Sequence, residues 1–136
     1  MFQQLKKYSD FSLLFLRLVV GIIFIVHGLQ KISMWKMLPN AEISAGVILL
    51  MKILSVVEPL AGLFLILGIY IDIAALILTI IMVGAIAMKI FVFKVGFTAL
   101  NATGWEFDLV LLASNLVLLF GGSGKLVLMR SRTETN

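Results

Sequence analysis

No cysteine occurs anywhere in this 136-residue chain. Disulfides, thiolate metal centres and dithiol relays are therefore excluded, and any redox electrons would have to reside on a bound cofactor or a partner. Histidine occurs once, at His27, which leaves no second imidazole for a metal site, and scattered carboxylates alone are an unspecific signal, so no metal is expected. Charge is scarce as well: 13% of the residues are Asp, Glu, Lys or Arg, where a soluble domain carries about 25%. With 62% hydrophobic residues and a mean hydropathy of +1.16, the surface must be solvated by lipid. The net charge of +4 is scattered near the ends of apolar runs and forms no basic patch, which argues against nucleic acid as a partner.

What is present is a series of long apolar runs. The first spans about residues 11–32, interrupted only by Ser12, Arg17, His27, Gln30 and Lys31, and is long enough to cross roughly 30 Å of hydrocarbon. It continues into His27-Gly28-Leu29 with no small-residue cleavage site, so it reads as a retained helix rather than a signal peptide. Met34-Trp35-Lys36 and Pro39-Asn40 mark an interface and a turn. Further spans are expected over about 46–69, 71–93 and 105–120, and Gly121-Gly122-Ser123-Gly124 ends the last one. Only Tyr70 to Asp72 separates the second and third apolar bodies, which forces antiparallel neighbours. The expected fold is all-α: a single membrane domain over residues 1–136, built as an up-down-up-down four-helix bundle.

Four spans place both termini and the Tyr70 turn on one side of the bilayer and the two longer loops on the other. Lys6, Lys7, Lys125, Arg130 and Arg132 fall on the termini side, and Lys31, Lys36, Lys52, Lys89 and Lys94 on the loop side. Arg17 tips this even count toward termini in the cytoplasm.

Ionisable groups inside a bilayer are costly, and each needs a partner, a wet cavity or an escape to the headgroups. At about 1.5 Å of rise per residue, His27, Lys31, Glu58 and Lys89 reach the loop-side end, where Glu106 and Asp108 open the fourth span. Glu58 is followed by Pro59, whose ring removes the amide that would have bonded the Ser55 carbonyl, so the second helix is expected to kink. Ser55, Glu58 and Gly62 share one face, and such a face either builds a polar pocket or simply pairs Glu58 with His27 or Lys31. Arg17 and Asn115 reach similar depths near the other membrane face, where a hydrogen bond between them, snorkelling of Arg17, or an Arg17 pair with Asp72 are the alternatives. Arg17, Gly21, Phe24, Gly28 and Lys31 form one stripe that is expected to face the bundle.

Soluble-type motifs fail. Gly124-Lys125 lacks both the leading glycine and the following hydroxyl of a phosphate loop, and Asn101-Ala102-Thr103 matters as a glycan acceptor only in a eukaryotic secretory pathway.

Taken in order, the polar positions resemble the DoxX family of small four-span membrane proteins. The pieces are Leu16-Arg17-Leu18 through Gly21, His27-Gly28-Leu29-Gln30-Lys31, Glu58 with Gly62, Leu67-Gly68-Ile69-Tyr70, Gly104-Trp105-Glu106 with Asn115, and Gly121 to Lys125. The chain departs from that pattern at Asp72, where a basic residue is common, and in lacking a histidine shortly before Gly96-Phe97 and an acid after the terminal glycines. The resemblance implies a bacterial or archaeal inner-membrane protein, with a namesake that is the small subunit of a thiosulfate:quinone oxidoreductase.

The leading expectation is thus an accessory subunit that anchors a redox enzyme partner and takes a quinone or lipid head group at the loop side. His27, Lys31, Glu58, Glu106, Asp108, Arg17 and Asn115 are the candidate binding residues. No intrinsic cofactor is expected, and any turnover would belong to a quinone-linked oxidoreductase complex. The alternatives are a small-solute or lipid carrier gated at Pro59, which would need a homo-oligomer to widen a narrow bundle, and a structural or chaperone-like module without ligand.

Overall fold

A computed structural model of the protein describes residues 8–128. Lys6, Lys7, Arg130 and Arg132, which enter the charge count above, lie outside the described residues. Four α-helices follow one another: α1 (Ser9–Gln30), α2 (Ala45–Leu67), α3 (Ile71–Ala87) and α4 (Trp105–Gly121). A 3₁₀ turn (Lys31–Lys36) extends α1 and a π turn (Met88–Val92) extends α3, and there is no strand among the described residues.

Three continuous helical stretches, Ser9–Lys36, Ala45–Leu67 and Ile71–Val92, are long and apolar enough to cross a membrane. The fourth helix has 17 residues, the short end of the range of about 17–25 that spans a bilayer. Large apolar side chains such as Phe11, Phe15, Ile22, Ile80, Val110 and Phe120 point outward along all of these helices. Lipid is the solvent that accepts such a surface.

The helix ends follow from local chemistry. Asn40 Oδ1 accepts from the amides of Glu42 (2.9 Å) and Ile43 (2.8 Å), and Ser44 Oγ accepts from Val47 N at 3.4 Å, so a side-chain turn leads straight into an N-cap for α2. At its other end Gly68 takes φ 71°. Its amide donates to Leu65 O and that of Ile69 donates to Phe64 O, the paired bonds that close a helix on a left-handed glycine. Tyr70 follows at φ 47° and starts α3.

In lipid, helices associate through close packing more than through hydrophobicity, and small residues permit it. α1 and α2 meet backbone to backbone: a Cβ built on Gly21 would lie 2.6 Å from Gly62 O, and one on Gly62 would lie 2.6 Å from Gly21 O. A Cβ on Gly28 would overlap the Pro59 ring. Arg17, Gly21, Phe24 and Gly28 are all buried, so the stripe does face inward. α3 packs mainly on α4, α2 on α3, and α1 more lightly on α4. One apolar cluster runs through all four helices, including Phe24, Leu65, Leu78 and Leu118.

The third apolar run is not one regular helix. From Met88 the hydrogen bonding lengthens, with Phe93 N–H donating to Met88 O at 2.9 Å. The added residue per turn widens the helix there, and Lys89 lies in this turn and meets its partners at the start of α4.

Candidate functional site

The polar side chains collect at the two ends of the molecule, and chemistry differs between them. At the loop end, Lys31 stands at the start of the 3₁₀ turn and Glu58 on the inner face of α2. Lys31 Nζ lies 2.5 Å from Glu58 Oε2 and donates to His27 O at 3.3 Å. Glu58 is 2% exposed, and Lys31 rather than His27 is its partner. Lys89 Nζ lies 2.7 Å from Asp108 Oδ2. The same ammonium donates to Thr103 O (3.2 Å), Thr103 Oγ1 (3.4 Å) and Gly104 O (3.4 Å).

Each helical hairpin thus carries its own neutral pair, and His27 stands between them. Its ring packs on Phe107 with 5.6 Å between centroids and a 51° tilt. It lies within electrostatic reach of Lys31, Asp108 and Lys89, and Glu58 within reach of Asp108. No hydrogen bond to either ring nitrogen is made among the described residues, so His27 keeps a donor and an acceptor for a further group. Glu106 is half-buried and forms no ion pair among the described residues.

Beside this cluster Trp35 Nε1 donates to Ser55 Oγ at 2.9 Å, and Ser55 Oγ in turn donates to Lys52 O at 2.7 Å. That bond ties the 3₁₀ turn to α2 one turn from Glu58. Sequence reasoning placed Trp35 only at the interface and missed its partner. Phe107 was missed as well; its position one residue before Asp108 on an amphipathic helix start was the available signal.

At the termini end Arg17 is 1% exposed and forms no ion pair with Asp72 and no bond with Asn115. Instead it donates to Leu65 O (2.9 Å) and Ile66 O (3.4 Å) in the last turn of α2, and to Ser123 O (3.0 Å) and Leu126 O (2.8 Å) in the segment after α4. None of the three alternatives for Arg17, the Asn115 bond, the Asp72 pair or snorkelling, is realised: the carbonyls ending α2 carry the negative end of its dipole and are the better acceptors. Asn115 is fully buried elsewhere on α4.

The loop-end pair gives an asymmetric prediction. Lys31→Met leaves a buried carboxylate without its cation and is expected to cost about 2 kcal/mol. Glu58→Gln is expected to cost less, because Lys31 is 22% exposed and its stem lets the ammonium reach the headgroups. Thermal melts of both variants in the same detergent micelle check the order, and equal melting points would contradict it.

Residues 12–105 match the family model described as DoxX. No curated protein and no solved structure matches the chain. The matched stretch holds Arg17, His27, Lys31, Glu58 and Lys89, and it stops before Asp108 and Asn115.

Proposed function

The chain belongs to the DoxX family, and from that premise we propose that it is a multi-pass inner-membrane subunit that takes a quinone or lipid head group at its loop end. In this reading the four helices form an up-down-up-down bundle kinked at Pro59, and the protein serves as an accessory or anchor for a membrane-associated oxidoreductase. The observation that carries it is His27, a half-buried imidazole with no hydrogen bond to its ring among the described residues, packed on Phe107 between two ion pairs.

A quinone ring suits that place chemically. Its carbonyl oxygens accept from an imidazole N–H or from the Lys31 ammonium, its apolar ring stacks on Phe107, and its tail extends among lipid-facing side chains. A reaction would draw its electrons from the partner and the quinone, while the chain binds and orients the head group. A carrier gated at Pro59 is less favoured, because the Pro59 ring is packed against Gly28 and has no freedom to hinge without separating α1 from α2.

The test is extraction of the protein purified in mild detergent from its native membrane, with quinone and lipid analysis by mass spectrometry. Co-purifying quinone and a rise in melting temperature on adding a quinone analogue are expected, and both should be lost in His27→Leu. Phospholipid alone, with no thermal response to the analogue, overturns the quinone reading.

A further inference from the structure

Among the described residues, every hydrogen bond that joins the first helical hairpin (α1 and α2) to the second (α3 and α4) lies at the termini end. Arg17 on α1 donates to Ser123 O and Leu126 O in the segment after α4, Lys125 N donates to Asp10 Oδ1 at 3.0 Å, and Leu128 N donates to Leu67 O at 3.4 Å. The covalent link is at the same end: Gly68, at φ 71°, and Tyr70, at φ 47°, turn α2 into α3.

At the loop end the bonding stays inside each hairpin. Lys31 is answered by Glu58 in the first and Lys89 by Asp108 in the second. The connections are self-contained too. Trp35 Nε1 donates to Ser55 Oγ in the first hairpin, while Trp105 N (3.4 Å) and Glu106 N (3.1 Å) donate to Gly96 O and Phe97 O in the second. No hydrogen bond or ion pair crosses between the hairpins there among the described residues. What crosses is the His27 ring on Phe107 and side chains of the apolar core.

These two ends respond differently in lipid. Hydrogen bonds in a low-dielectric interior hold their partners firmly. An apolar seam is held by packing alone, and lipid tails replace much of that packing once the helices part. Parting at the loop end strands no charge, because neither ion pair spans the seam. The first hairpin moves as one piece, since Gly21 meets Gly62 and Gly28 meets Pro59 at backbone distance, and the second is tied by Lys89 to Thr103 and Gly104. α1 packs only lightly on α4, so that seam is the one that yields.

From this asymmetry we propose that the two hairpins are rigid units hinged at the termini end, and that α1 parts from α4 at the loop end to admit a head group sideways from the bilayer to His27. The identity of the guest rests on the quinone reading of the loop end, while the hinge stands on the bonding pattern alone.

Because the chain has no cysteine, spin-label pairs can be placed by substitution alone. Leu29→Cys with Val110→Cys spans the seam at the loop end, and Phe15→Cys with Val117→Cys spans it at the termini end; all four side chains are exposed and belong to neither polar cluster. Val26→Cys, also exposed, repeats the first measurement from the preceding turn of α1. In phosphatidylcholine nanodiscs without ligand, pulsed electron resonance is expected to give the loop-end pair a second population several ångströms longer than the first, and the termini-end pair one narrow distance. A short-tailed benzoquinone should deplete the longer population several-fold. A single narrow loop-end distance, or a termini-end pair as broad as the loop-end one, overturns the hinge, even in protein that takes up the benzoquinone. A broad loop-end pair that the benzoquinone leaves unmoved retains the hinge and removes the quinone as its guest.

Discussion

Arg17→Met is expected to lower stability by on the order of 5 kcal/mol, close to the whole margin of a small protein. One guanidinium serves two pieces of chain at once: Nε and one terminal nitrogen take the Leu65 and Ile66 carbonyls, and the other terminal nitrogen takes those of Ser123 and Leu126. The cation needs no carboxylate, since the end of α2 presents the negative pole of its dipole. Methionine fills similar space but returns nothing to four acceptors, each costing about 1–3 kcal/mol when stranded. Lysine does not rescue, because a single ammonium on a flexible stem lacks the fork that spans two segments. The readouts are a melt in detergent and limited trypsin digestion at Lys125, whose amide is tied to Asp10 Oδ1 at 3.0 Å. Loss of the melt's cooperativity and faster cleavage at Lys125 are expected together. A variant that melts and resists trypsin like the parent would show that the hub is dispensable.

Arg17 also marks the limit of what the sequence discloses. Its burial was legible in part: the glycine stripe it shares pointed into the bundle, while its depth of one and a half turns also allowed it to snorkel to the headgroups. Its partners were not: they are backbone carbonyls, which every residue carries and no side-chain pattern distinguishes. The loop end shows the reverse case. Glu58 before Pro59 announced a buried carboxylate, and depth counting brought Lys31, Lys89 and Asp108 to its level. Which cation met which anion was not legible, because four charges at one level allow more than one pairing and Lys89 sits in a π turn with no propensity signature in Met88-Lys89-Ile90. Glu106 and Asp108 are two residues apart and therefore leave a helix on opposite sides, and of the two it is Asp108 that pairs with Lys89. The helices themselves were the easiest part to read, since lipid demands long apolar runs and satisfied backbone groups. Their edges moved by a residue or two where Ser44 and Gly68 supply caps.

The second large effect is expected at Gly62. Its replacement by Val should separate α1 from α2 and prevent folding into the parent structure, a penalty beyond the roughly 1–3 kcal/mol of ordinary overpacking. Flexible side chains give way to an extra methyl, but the atom in the path here is the Gly21 carbonyl oxygen, 2.6 Å from where the first carbon would sit, with the Ile25 backbone nitrogen at 3.3 Å. A rigid helix has to move as a whole. That movement would also lift Gly28 from Pro59 and draw Lys31 away from Glu58, so the loop-end pair depends on the close contact at Gly62, about one turn from Glu58 along α2. Gly84→Ala is the control on a neighbouring helix: a Cβ there meets nothing within 4 Å, and alanine should be neutral or stabilise by about 0.5–1 kcal/mol through backbone entropy. Expression, monodispersity in detergent and the melting temperature of the two variants, compared side by side, decide the matter. If Gly62→Val folds and melts with Gly84→Ala, the close approach of α1 and α2 is not what holds the four helices together.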